Sequence, residues 1–542
     1  MMKSIKFKWV ITSFFLVIVL SNCNKMDLLP TNQYTDDNFW LSAENSDLMV
    51  NMAYNQMYNA DRMWNDEALS DNVFEGRDNT AQRTIRNGNA DPSLGRFRDE
   101  WKDAYGGLKT CHIYLQNIDR VPNMNPAYKA RRIAEIRFIR AYIYFRLVNF
   151  YGAVPFSTTD IDLAESRVIS RTPKADIMTF IHKELDEAMT ALPARTSDTK
   201  GLDKSRISKG AACAFQARTY LYEGNWQKVA DYTDSLIHHQ DKFGTYSLFP
   251  DYAGLFTVAN ENNSEVILDY GYLLNKKMWQ KYYDAAPLSL GARLNAYAPV
   301  QELVDNYIML NGKSIKEDPS YNEDNPFVNR DPRLAATIVY DGSEIQKLNG
   351  TMTTIKIKPG SKTSDEYQGA SSNATSTGYY MRKYYDVQAT SELKSGLNII
   401  MFRYADVLLM NAESKFELGQ MDAATWNETI RAIRQRAGFK DAIALDYPSA
   451  LSTAQMRALI RNERRSELAL EGLRYYDIVR WKAGQEYLTG ALHGAKFANN
   501  NTAYIQLDTR KFDEARDYLW SVPRSEMDLN KNLLPNNTGY GN

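Results

Sequence analysis

The densest run of chemically capable side chains lies between Ile460 and Trp481, with Arg461, Glu463, Arg464, Arg465, Glu467, Glu471, Arg474, Asp477 and Arg480. On a helix, Glu463, Glu467 and Glu471 share one face at four-residue spacing, the geometry an acid/base centre would need. Arginines stand three residues away, as in Glu471/Arg474. The pattern therefore predicts a helix-to-helix ion network of arginine forks, with Trp481 packed over the junction. Other reactive arrangements fail on spacing. The histidines His112, His182, His238, His239 and His493 lack metal-ligand spacing, and no cysteine pair is close enough for zinc. Gly312-Lys313-Ser314 looks like the end of a phosphate loop, but Tyr307 occupies the place of its first glycine. No GxSxG elbow or GxGxxG turn occurs. Loop Asp and Asn residues are plentiful, yet none has a calcium-loop spacing. No cofactor and no metal are implied.

The elements that would hold such residues are mostly helical. Ser208–Tyr222 is apolar at helical spacing, breaks at Gly224-Asn225-Trp226 and resumes to about His238. Tyr404–Leu418 breaks at Gly419 and returns over Asp422–Ala437. A small residue, a glycine turn and an alanine-bearing return helix recur, as in Ala217…Gly224…Ala230 and Ala412…Gly419…Ala423. This resembles the tetratricopeptide hairpin. Arg131–Tyr151 is a further helix, with Ile136, Ile139, Ile143, Leu147 and Phe150 on one stripe. Phe138, Tyr142 and Phe145 line the opposite side, so packing on two faces is expected. Asp241 to about Asn398 is different: rich in Gly, Pro, Asn, Ser and Tyr, with β-like pieces at Glu265–Tyr270 and Ala335–Tyr340. Residues 360–378 read as a mobile loop.

At the N-terminus, Lys3, Lys6 and Lys8 precede an apolar run from Trp9 to Leu20. A dozen residues are too few to span a bilayer, which needs roughly 20. Leu20-Ser21-Asn22-Cys23 resembles the lipobox of bacterial lipoproteins. That implies removal of residues 1–22 as a signal peptide and lipidation of Cys23, whose acyl chains would hold the body at a membrane. The remaining 520 residues carry a formal charge of −4 and suffice for two or three cores. This charge argues against nucleic acid as a partner. Cys111 and Cys213 sit in apolar helical patterns and read as buried free thiols. Tyrosine exceeds phenylalanine, 35 against 21, which suits wet binding surfaces and plain helix packing alike.

Five ordered motifs carry a more specific resemblance. They are Asn149-Phe150-Tyr151-Gly152-Ala153-Val154-Pro155-Phe156, Asn329-Arg330-Asp331-Pro332-Arg333-Leu334, Arg403-Tyr404-Ala405-Asp406-Val407-Leu408-Leu409, the Ile460–Trp481 block, and Val522-Pro523 with Asn530 and Gly539-Tyr540. Together with the lipobox they resemble the SusD/RagB family of Bacteroidetes surface glycan-binding lipoproteins. Ala153 departs from the second glycine of the family's Tyr-Gly-Gly-x-Pro turn.

The resemblance implies a mostly α fold: tetratricopeptide-like helix hairpins form a scaffold, with long irregular loops and a few short β-strands on the ligand side. It divides the mature chain into helical 23–240, loop-rich 241–398 and helical 399–542. It also implies a non-catalytic lipoprotein, exposed on the outer membrane, that captures glycan and works with a SusC-like TonB-dependent transporter. Capture of peptides or another nutrient, or a lipoprotein glycosidase, are the alternatives. A sugar ring packs its C–H face on an aromatic plane and needs donors and acceptors around its hydroxyl rim. Two segments have that composition: Trp279, Tyr282, Tyr283 and Tyr297, and the polar loop Asn72, Arg77, Asp78 and Asn79.

Overall fold

The computed structural model describes residues 35–76, 80–196, 204–369, 372–497 and 503–541. The leader, Cys23, Arg77, Asp78 and Asn79 lie outside them. The helices that build the scaffold are α1 (Ala43–Met57), α2 (Ala60–Glu67), α3 (Gly95–Asn117), α4 (Pro126–Tyr151), α5 (Lys174–Ala191), α6 (Lys209–Glu223) and α7 (Trp226–His238). After the irregular middle come α8 (Tyr404–Glu417), α9 (Thr453–Leu468), α10 (Arg474–Arg480) and α11 (Arg524–Leu529).

Helix α4 begins earlier than its apolar stripe predicts. Asn125 accepts from Tyr128 N and Pro126 occupies the first turn, so the helix starts at the cap. It packs on α3 and α5, and both predicted stripes are buried, from Ile136 and Phe138 at 0% exposure to Tyr142 at 7%. The α6–α7 hairpin turns where the sequence says. Ser208 caps α6, Gly224 takes φ 71° in the left-handed region, and Asn225 caps α7. Helix α7 packs on α8, which stacks this hairpin on the next. Beyond Gly419, at φ 70°, the return is not one continuous helix. Ala423–Trp426 and Ala432–Ala437 are joined by a π-turn at Asn427–Arg431, beside Trp426, whose Nε1 donates to Leu445 O at 2.7 Å. Cys111 and Cys213 are buried and unbridged.

Small residues set how closely these helices approach. A Cβ on Gly210 would collide with the Tyr246 hydroxyl and sit 2.6 Å from Phe243 O. Gly210→Ala is therefore expected to destabilise the protein by about 1–3 kcal/mol, read by urea unfolding, although alanine is ordinarily the better helix former.

Six two-stranded sheets are present among the described residues. Three bear on the site: β1 (Val73–Glu75) with β3 (Tyr297–Pro299), β2 (Val266–Tyr270) with β4 (Ile399–Arg403), and β5 (Gly490–His493) with β6 (Gln506–Arg510), all antiparallel. Ala335–Tyr340 is only half strand. Asp331 caps a short helix, Pro332–Thr337, and the strand is confined to Ile338–Val339. The end of the 360–378 segment is core rather than mobile loop: Thr375 and Thr377 are fully buried. Thr375 Oγ1 accepts from Thr377, Gly378 and Tyr379 N–H groups and donates to Tyr379 O. The hydroxyl-rich composition thus builds a tight turn.

The charged block is a buried ion network, and the motifs converge on it. Arg403, 1% exposed, donates to Glu265, Glu467 and Glu471 at 2.6–2.8 Å. Arg333, fully buried, bonds Asp331, Glu463 and Glu467 at 2.8–2.9 Å. Arg464 bridges Asp406 and Asp477. Burial alone would raise the Glu467 carboxyl, but Arg436, Arg403 and Arg333 outweigh it and hold the group well below the usual carboxylate range. Trp481 caps the junction, donating to Glu413 at 2.7 Å with the Arg461 guanidinium 4.5 Å from its ring. The wiring differs from the predicted local pairs. Helix α9 ends at Leu468 and Gly472 turns at φ 74°, so Glu471 meets Arg403 and Lys383, while Arg474 reaches Asp71.

Candidate functional site

The two segments selected for their ring and amide content come together through one strand pair. In the β1–β3 register Glu75 faces Tyr297, and Gly76 N donates to Ala296 O at 2.9 Å. The chain leaving β1 toward residue 77 thus starts beside the 283–296 stretch.

The side chains, however, are mostly turned inward, which corrects the expectation of an exposed ring platform. Trp279 is 5% exposed and its Nε1 donates to Leu397 O at 2.7 Å. Tyr282 is 2% exposed, donates to Lys383 O and packs edge-on to Trp64 at 5.7 Å. Tyr297 is 8% exposed, with its hydroxyl on Asn65. Asn72 is fully buried between Glu67 and Arg465. An irregular segment lacks a regular ladder to hold it, so its largest rings become its core. Tyr283 is the exception. It is half-buried, with the exposed Arg293 guanidinium 5.4 Å from its ring centroid and forked onto Asp284 at 2.6 and 3.0 Å.

Glu67 supports this rim from behind, accepting from Asn72 Nδ2 at 2.7 Å and Gly472 N at 2.8 Å. Burial pushes its carboxyl up from 4.5 to about 7, more than these bonds lower it. The folded protein then holds a proton that the unfolded chain has released, so this group's contribution to stability declines as pH rises from about 5 to 7. Urea melts of Glu67→Gln against the native protein are expected to show a stability difference that changes across that interval and is flat above it. Parallel pH profiles would contradict the assignment.

A second candidate is built from other loops. A cleft of about 290 Å³ is lined by Tyr321, Glu323, Asn325, Phe327, Tyr379, Lys496, Phe497 and Tyr504. Lys496 Nζ and Tyr504 OH meet Glu323 at 2.6 and 2.7 Å, and these bonds hold its carboxyl below the usual range. Phe327 stacks on Tyr340 at 3.8 Å, which fixes one wall. Tyr379 is anchored on Gln301 at 2.6 Å. The 373–378 strip connects cleft and rim: Asn295 N donates to Asn373 O at 2.8 Å, and Ala495 N to Thr377 O at 2.6 Å. Aromatic walls with a carboxylate, an amide and an ammonium at the opening suit a ligand with apolar faces and a polar rim. Sequence reasoning missed this cleft because its rings come from separated segments. The one local signal was Tyr321-Asn322-Glu323-Asp324-Asn325-Pro326-Phe327, two rings flanking a polar loop.

Residues 256–540, more than half of the chain, match the SusD family. The chain belongs to that family. Residues 1–221 match a second, SusD-like family described as starch-binding and associating with the outer membrane. SusD-like protein P2 of Formosa agariphila is 26% identical over 552 residues, covering 98% of this chain and all of the relative. Starch-binding protein SusD of Bacteroides thetaiotaomicron is 26% identical over a shorter stretch, 154 residues. Among solved structures, a SusD-like carbohydrate-binding protein of Bacteroides fragilis superposes with a TM-score of 0.81 at 29% identity, over 91% of this chain and 99% of its own. A laminarin-binding SusD-like protein gives a TM-score of 0.69 at 22% identity over 92% of this chain and all of its own, a likeness of fold alone. In this member of the SusD family the motif residues Asp331, Arg333, Arg403, Asp406 and Glu467 all belong to the buried network. They hold the scaffold together, and none of them lines the loop cleft.

Proposed function

We propose that the protein is a non-catalytic surface lipoprotein that captures oligosaccharide or polysaccharide and delivers it to a SusC-like TonB-dependent transporter in the outer membrane. The observation that carries this reading is the cleft in which Tyr321, Phe327, Phe497 and Tyr504 stand beside Glu323, Asn325 and Lys496. Each pyranose would lay a C–H face on a ring while its hydroxyls exchange hydrogen bonds with the charged and amide groups. The starch and carbohydrate named for relatives support the ligand class. The outer-membrane association in the matching family description and the Cys23 lipobox support the location.

Native affinity electrophoresis against a panel of polysaccharides tests this. At least one polysaccharide is expected to retard the band, and Tyr504→Ala to weaken that retardation by about 2 kcal/mol, some thirtyfold. Retardation by peptides alone would favour a different nutrient. Release of reducing ends from any panel member would contradict the non-catalytic reading.

A further inference from the structure

The charges along the loop cleft are unequal in number and unequally used. Glu323, Asp324 and Asp341 line it against Lys358 and Lys496. A lysine in a sugar cleft is the group that would recognise a uronate or a sulfate. Lys496 is already engaged. Its Nζ lies 2.6 Å from Glu323 Oε2, and the other oxygen of that carboxylate accepts from Tyr504 OH at 2.7 Å. Glu323 thus neutralises the ammonium and steadies the ring beside it.

Lys358 is offset in another way. The backbone N–H groups of Ile357 and Lys358 donate to Asp341 Oδ1 at 2.6 and 3.0 Å, which holds that carboxylate beside the stretch carrying the lysine. Asp324 is exposed, and among the described residues its carboxylate makes no ion pair. The nearest further cation does not restore the balance. Arg330 stands 5.6 Å from the Tyr321 ring, but it is buried, with Asp305 close by, and it donates to the Val304, Tyr307 and Pro326 carbonyls. An anionic sugar would therefore shed its hydration to meet a surplus of negative charge. Uncharged hydroxyls face no such cost, since carboxylates accept from them and an ammonium has further N–H bonds to give.

We propose that the loop cleft takes an uncharged glycan and rejects polysaccharides bearing uronate or sulfate, with Glu323 setting that choice by neutralising Lys496. This inference rests on the carbohydrate reading of the cleft and narrows it. Glu323 acts here on specificity, through the lysine and the tyrosine that it holds.

Affinity electrophoresis of the full chain tests it, with soluble starch, laminarin and galactomannan set against alginate, polygalacturonate and chondroitin sulfate. Retardation is expected from the neutral group alone. For a neutral polymer that retards the native protein, its sulfated derivative is expected to bind about tenfold more weakly at low salt. That gap is expected to narrow as salt rises, which blocked hydroxyls alone would not produce. Glu323→Gln keeps an acceptor for Tyr504 OH and releases Lys496. Combined with Asp324→Asn, it is expected to raise the ratio of sulfated to parent affinity about tenfold. Asp324→Asn alone, at an exposed position, is expected to raise it about threefold, and so reads the effect even if the double variant folds poorly. Acidic polymers retarding the native protein as strongly as neutral ones, a gap indifferent to salt, or a ratio unmoved in these variants would overturn the proposal and leave the carbohydrate reading standing. Retardation by neither group would overturn both.

Discussion

Arg403→Ala is expected to lower stability by about 3–5 kcal/mol, a large share of the 5–15 kcal/mol that typical folded domains possess. The guanidinium is 1% exposed and meets Glu265, Glu467 and Glu471, all of them buried. Removing it strips one buried positive charge from a cluster in which Glu265, Glu467 and Glu471 then share only Arg436, Arg333 and Lys383. The loss comes from this uncompensated negative charge, so it exceeds what the intact ion pairs add to stability. Urea unfolding followed by circular dichroism reads the effect. A loss below 1 kcal/mol would mean that the carboxylates find other partners, and that the motif residues do not act as one junction. Because neither Arg403 nor its three partners line the loop cleft, folded Arg403→Ala protein is expected to bind polysaccharide as the native protein does.

The second large effect separates the buried rings from the exposed ones. Trp279→Ala is expected to destabilise by about 3–5 kcal/mol through cavity formation, with a further penalty from Leu397 O, which loses its 2.7 Å partner. Its ligand affinity, measured on folded protein, is expected to be unchanged. Tyr504→Ala is expected to behave oppositely. Its ring is only partly buried and lines the cleft, so stability moves little while affinity drops. If Trp279→Ala lost binding and kept its stability, the assignment of these rings to the core would fail.

How much of this could be read in advance follows from where the information is local. Caps and turns are local. Asn125, Ser208, Gly224 and Asn225 each mark a boundary within a few residues of where it falls. The ion network was legible as a network, since acids and arginines alternate at helical spacing. Its partners were not, because α9 stops at Leu468 and Gly472 redirects the chain, replacing the local Glu471/Arg474 pair with Arg403 and Asp71. The site was legible only as two neighbouring segments. The β1–β3 pairing joins them, but which rings face solvent depends on what the irregular stretch needs for its own core. Trp279 and Tyr282 fill that need, and Tyr283, one residue on, does not. The cleft itself draws Tyr321, Tyr379 and Tyr504 from stretches far apart in sequence, and no spacing rule reaches across such distances.

On the proposed reading, a ring-lined cleft among the loops of a helical body holds carbohydrate without altering it. A crystal structure of the protein with an oligosaccharide cut from a retarding polysaccharide tests it most directly. Intact sugar is expected in the cleft, with pyranose faces against Tyr504 or Tyr321 and hydroxyls on Glu323, Asn325 or Lys496. Sugar seated on the α3–α5 surface instead, or found cleaved, would contradict it.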